Sequence, residues 1–175
     1  MKKLLGLSLF VLILVLSAGA QVKNYYFPEV RIELTVERDG SFLVDEYRTF
    51  AFEGTFHYAY ITIPLRESRQ GRSYDAVLTG FEVHDSQGGI LKADLTTENG
   101  AFTGKWYFTA RNERRTFHIH YRISRGIVSH SDVTELYWQI IGPGWDKPTK
   151  TVLIDVRLPE AVPRKSDIMV WGHGP

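Results

Sequence analysis

The sequence predicts an all-β fold: an antiparallel β-sandwich, immunoglobulin-like or jelly-roll-like, preceded by a signal peptide. Three observations carry this expectation. Runs with an apolar residue at every second position recur about every 8–12 residues, the spacing of short strands joined by turns. Turn-forming residues punctuate those runs, as at Asp39-Gly40 and Glu98-Asn99-Gly100. Beyond the N-terminal apolar stretch there is no convincing 3.6-residue period.

The chain opens with the cationic Met1-Lys2-Lys3, an apolar run over 4–16, and Ser17-Ala18-Gly19-Ala20. Small residues at Ala18 and Ala20 make a signal-peptidase site before Gln21, so residues 1–20 read as a secretory signal. A retained anchor is the alternative, because the run lies near the lower limit for spanning a bilayer, about 17 residues. Export follows either way. The expected location is extracytoplasmic: periplasmic, cell-surface or secreted. Residues 21–175 then form a single domain, long enough to bury roughly two thirds of its unfolded surface.

The signal carries two lysines and no acid, so removing it moves the formal net charge from +1 to −1. That balance argues against nucleic acid as a partner, since phosphate backbones demand a basic footprint. No cysteine is present, which excludes disulfides and thiolate chemistry. Stability must come from an ordinary core, which the 13% aromatic content can supply.

Val30, Ile32, Leu34 and Val36 alternate with polar residues, and Asp39-Gly40 is a strong hairpin signal. The returning strand, 41–52, puts Phe42, Val44, Phe50 and Phe52 on one face together with Glu46 and Arg48. Either a bulge flips the register or the two charges pair near the core. Residues 58–63 are a strand closed by Pro64, and 66–74 read as a long polar loop. Strands follow at 76–84, 90–95 (short, at an edge) and 105–110, then a tip over 111–114. Phe117, Ile119, Tyr121 and Ile123 alternate with His118, His120 and Arg122.

The stretch 132–145 predicts the central strand. Leu136, Trp138 and Ile140 share one face, Trp138 is the expected core anchor, and Trp145 stands beyond a Gly142-Pro143-Gly144 stop. Val152, Ile154, Val156 and Leu158 predict one more two-faced strand, with a last short one over 167–170.

His118 and His120 are the sharpest metal candidates, because residues two apart on a strand share a face. No third ligand lies nearby on that strand, so a solvated face competes with this reading, and no cofactor is called for. Ser129-His130-Ser131-Asp132 holds triad residue types, but neighbouring side chains rarely form the required hydrogen-bond chain. Gly142-Pro143-Gly144 lacks the following helix that phosphate binding needs. Arg66, Arg69, Arg72 and Tyr74 in the polar loop, and Arg111, Arg114 and Arg115 at the tip, are the candidate contact residues, since binding groups concentrate on loops. Trp106, Tyr107, Tyr137 and Trp145 would serve sugar stacking if exposed and core packing if buried.

Several segments together resemble the N-terminal extracytoplasmic domain of the YciQ-like predicted membrane proteins, known as domain of unknown function 2207. They are the opening strand and hairpin over 30–44 with Val44 and Glu46, and the Phe-x-x-x-Tyr-Ile-Thr-Ile-Pro segment ending at Pro64. They continue with Thr116-Phe-His-Ile-His-Tyr-Arg-Ile123, the Glu-Leu-Tyr-Trp-Gln-Ile-Ile-Gly segment ending at Gly142, Trp145-Asp146, and Leu158-Pro159. Members often carry an arginine before the Ile-Pro step, where this chain has Ile61. They usually continue into transmembrane helices and a low-complexity tail. The resemblance implies a fold and a place in the cell envelope, and it transfers no catalytic residue. Membrane association would come through a retained signal anchor or a further C-terminal segment. The expected function is therefore an envelope binding or interaction domain for a protein or polymer. A carbohydrate-binding module, or a metal-dependent or glycosidic hydrolase, is the alternative. If the signal is cleaved, mass spectrometry of the exported protein will show Gln21 as its first residue; a mass that retains 1–20 would show an anchor instead.

Overall fold

A computed structural model describes residues 23–69, 72–141 and 147–171; the expected signal at 1–20, the Gly142-Pro143-Gly144 stop and Trp145 lie outside the described residues. The strands in order are β1 (Asn24–Val36), β2 (Phe42–Glu53), β3 (Thr55–Pro64), β4 (Arg66–Arg69), β5 (Arg72–Asp75) and β6 (Val77–His84). They continue as β7 (Ala93–Glu98), β8 (Ala101–Arg111), β9 (Arg114–Ser124), β10 (Ile127–Ser129), β11 (Thr134–Leu136) and β12 (Val152–Arg157). A 3-10 turn, Lys165–Asp167, ends where the last short strand over 167–170 is expected, and 168–170 form no strand.

The main sheet has the order β12-β1-β2-β9-β6, and the second is β3-β8-β7. Alternating apolar residues of both sheets face each other, as the two-residue period requires. Rings interlock across the gap: Trp106 of β8 lies 5.6 Å from Phe117 and 6.5 Å from Phe50. Phe108 lies 4.7 Å from Phe117. Phe81 of β6 packs over Gly104 of β8, where a Cβ would stand 2.5 Å from the ring. Glycine is thus required there by close approach of the sheets.

The Asp39-Gly40 hairpin forms as expected, with Gly40 at φ +79° and Asp39 Oδ1 accepting from the Ser41 N–H. Arg122 of β9 reaches the same turn, donating to Glu37, Asp39 and Ser41. No bulge interrupts β2 between Glu46 and Arg48: its pairing with β9 runs unbroken from Phe42 to Ala51. The two side chains are a fully buried pair, the Arg48 Nε–H donating to Glu46. The guanidinium also lies 4.8 Å from the Phe27 ring centroid.

Three expectations are corrected. Residues 132–141 do not form the central strand. β11 covers only Thr134–Leu136 and pairs with β10 in a separate hairpin. Trp138 and Ile140 lie beyond its end, half-buried with Leu136 against the margin of the core. Trp138 packs edge-on to Phe42 at 5.2 Å, and its indole hydrogen-bonds the buried Tyr121 hydroxyl. Among the described residues Trp106 is the fully buried tryptophan. Secondly, the expected open loop at 66–74 is instead, over 66–69 and 72–74, the two paired strands of a β4–β5 ribbon. Thirdly, β12 pairs with β1 in parallel, and Val152, Ile154 and Val156 are 40–49% exposed rather than inward. A second sheet only three strands wide leaves β12 uncovered.

The buried pair yields a stability test. Arg48→Met strands the Glu46 carboxylate and should lower the unfolding free energy by about 3–5 kcal/mol in urea melts. Joint replacement by Glu46→Leu and Arg48→Met should recover most of that loss. A double variant as weak as the single one would show that charge pairing is not what the site requires.

Candidate functional site

Because β2 spends one face on the core, its alternate residues Asp45 and Tyr47 point outward. The same alternation on β9 turns His118 and His120 outward while Phe117, Ile119 and Tyr121 are buried. On β6, Glu82 and His84 flank the buried Val83. Registers then place these residues side by side. Tyr47, His118 and His84 form one row across three strands, and Asp45, His120 and Glu82 the next.

Two imidazoles converge on one carboxylate oxygen. His118 Nε2 is 2.7 Å from Asp45 Oδ1, and His120 Nδ1 is 2.8 Å from the same atom. The ligand-capable atoms of the three residues all lie within 4.8 Å of one another. His118 is held on both flanks: its ring stacks on Tyr47 at 4.5 Å and 7°, and on His84 at 5.5 Å. His84 is itself oriented by Glu82, 3.1 Å from its Nε2, and by the Gly88 carbonyl. Partial burial pushes the Asp45 carboxyl up, but hydrogen bonds and charge from His118 and His120 outweigh this and hold it below the ordinary carboxylate value.

Beside His118 and His84 the surface dips into an open depression of about 350 Å³, bordered also by Asp85 and Thr116. Its wall is firm, because Asp85 Oδ1 accepts from the Gln87 and Gly89 N–H groups.

Sequence reasoning identifies His118 and His120 and misses Asp45. Asp45 lies more than seventy residues away along the chain, and only strand pairing brings it near. The outward phase of β2 is its available signal.

The arginines expected to make contacts fall at two separate places. Arg66 meets Asp75 at 3.4 Å, and Arg69, Arg72 and Tyr74 lie on the β4–β5 ribbon. Arg111, exposed, pairs with Thr55 at the far end of β3, so the groups are roughly 30 Å apart by strand rise. Arg114 is exposed, whereas Arg115 is half-buried, 3.2 Å from Glu113. The tip is pinned, since Gly54 N–H donates to Asn112 Oδ1 at 2.6 Å and Asn112 N–H donates back to Gly54. His130 meets Glu135 at 3.5 Å within the β10–β11 hairpin.

The outer face of the second sheet has a different chemistry. Tyr58 and Tyr60 are 50% and 51% exposed, opposite Tyr107 and Lys105 on β8. Lys105 Nζ stands 4.1 Å from the Tyr58 ring centroid and 5.2 Å from that of Tyr107. Asp94 accepts from the Tyr107 hydroxyl at 2.5 Å. Trp106, a candidate for stacking on sugars, is buried beneath this face.

Over residues 26–175 the chain matches the family model described as "Predicted membrane protein (DUF2207) N-terminal domain". No curated protein matches it. Among solved structures it is similar to one from Parabacteroides distasonis ATCC 8503 named as a "putative protease", with 10% identity and a TM-score of 0.33. That likeness covers 57% of this chain and 23% of the other, and it is too slight to carry an argument. Among the described residues no helix is long and apolar enough to cross a membrane.

The electrostatics of Asp45 set a pH signature. A carboxyl held below its ordinary value of about 3.9 adds stability above that pH, and the contribution disappears as pH falls through the lower folded value. The stability gap between the chain and its Asp45→Asn variant should therefore be open above about pH 4 and close below it. Thermal melts across that range check it, and a gap that persisted in strong acid would contradict it.

Proposed function

The chain belongs to the DUF2207 family of predicted membrane proteins, as a match to its N-terminal domain, and on that footing we propose that it is an extracytoplasmic binding domain. It captures an envelope protein or polymer without altering it chemically. The signal-like pattern over 1–20 supports export.

The observation that carries the reading is the outer face of the three-stranded sheet. Tyr58, Tyr60, Tyr107 and Lys105 sit on paired strands, so their spacing is set by the backbone. Exposed tyrosines on a stiff support offer large contact area at little entropic cost. Arg111 lies at one end of β3 and the Arg66 ribbon at the other. The face thus runs between two cationic ends, a shape that suits an extended ligand.

Among envelope components, this face favours a carbohydrate polymer, because flat phenol rings stack on pyranose faces while lysine and tyrosine hydroxyl groups bond to sugar oxygens. The test is cosedimentation with washed cell-wall polysaccharide. The chain should pellet with the polymer and release no soluble fragments. Tyr58→Ala and Tyr60→Ala should each reduce the bound fraction several-fold, and Arg111→Glu or Arg114→Glu should do so more weakly. Capture indifferent to both tyrosines, or fragment release, would overturn the reading.

A further inference from the structure

The geometry points to a divalent transition-metal site on the outer face of the main sheet, with Asp45, His118 and His120 as ligands and an open position toward solvent. It stands independently of the tyrosine face, which lies on the other sheet.

The donor set is that of a zinc-type ion: two imidazole nitrogens and one carboxylate oxygen. Bonds of about 2.0–2.1 Å to a tetrahedral ion place neighbouring donors roughly 3.3 Å apart. The two histidine–aspartate separations, 2.7 and 2.8 Å, fall short of this by about half an ångström. Every pair in the set is within 4.8 Å. Small side-chain rotations therefore open the hydrogen-bonded contacts to metal-bonded ones.

Convergence on one oxygen separates this cluster from an ordinary polar surface. Asp45 Oδ1 receives both imidazoles, so an ion taking the place of the two N–H protons would meet all three donors at once. Each imidazole would present a bare nitrogen to the ion, with its ring proton carried on the other nitrogen. The rotations needed are confined, because Tyr47 and His84 stack on the two sides of the His118 ring. A ligand held in its plane by neighbours loses little freedom on binding. All three side chains are partly exposed, which leaves the ion's fourth position open to water or to an anionic group.

The test is titration calorimetry of the chain as exported, with no polyhistidine tag, using zinc chloride as the probe. One equivalent should bind at micromolar affinity or tighter. Asp45→Asn, His118→Ala and His120→Ala should each weaken it at least tenfold, and His57→Ala, on the other sheet, should not. All three changes lie on the outer face, and circular dichroism will confirm that each variant keeps its fold. Should a variant unfold, cobalt(II) on the unaltered chain gives a second readout. Intense visible absorption marks a four-coordinate site, and a weak six-coordinate spectrum counts against it. Absence of zinc binding, or binding unchanged in the three variants, would overturn the assignment.

Discussion

The register of β2 against its two neighbours is the constraint on which the rest of the structure depends. β2 lies between β1 and β9 and is the third strand of five in the main sheet. One of its faces supplies Phe42, Val44 and Phe50 to the core, and the other supplies Asp45 and Tyr47 to the imidazole cluster. A slip by one residue would exchange these sets. A slip would also turn Glu46 and Arg48 together off the inner face, away from the Phe27 ring beneath the guanidinium, and bury Asp45 in their place. The inner face therefore holds the outer face in place.

The two sheets share a core and differ in what they show outside. The five-stranded sheet presents imidazoles and carboxylates, whose value lies in directed lone pairs. The three-stranded sheet presents phenol rings and a lysine, whose value lies in contact area. Neither set is assembled from loops. Both are carried on strands at two-residue spacing, which fixes their positions tightly. Arg115 and Arg66 are already engaged with Glu113 and Asp75, and they are less available than their place in the sequence suggests.

Local patterns in the sequence are legible because their causes are local. The Asp39-Gly40 turn, the alternation of β1 and β9, and the all-β class all follow from short-range sterics and periodicity. Where the reading fails, the cause is distant. Leu136, Trp138 and Ile140 alternate with Glu135, Tyr137 and Gln139 as a strand would, yet none of them meets a partner strand in the main sheet. The alternation of β12 promises an inner face, but what covers a strand is decided by the width of the opposing sheet. Trp106 reads as a possible surface ring because its neighbours are polar, and it is the plug between sheets. Asp45 is one of several carboxylates until β9 is laid beside β2.

The pairing of β2 with β9 also shapes how the chain reaches its fold. Phe42 meets Ile123, and β1 waits for β12 across a still longer stretch. Such topologies close large loops before their contacts form, and they fold slowly, typically in milliseconds to seconds. As the chain is made, its first hairpin has nothing to pair with on either side until the last third appears. During that interval both strand edges and the charged Glu46 and Arg48 remain in water. Desolvating that pair belongs to the late steps of folding, and sequences that delay β9 would lengthen the time in which open edges can find another chain.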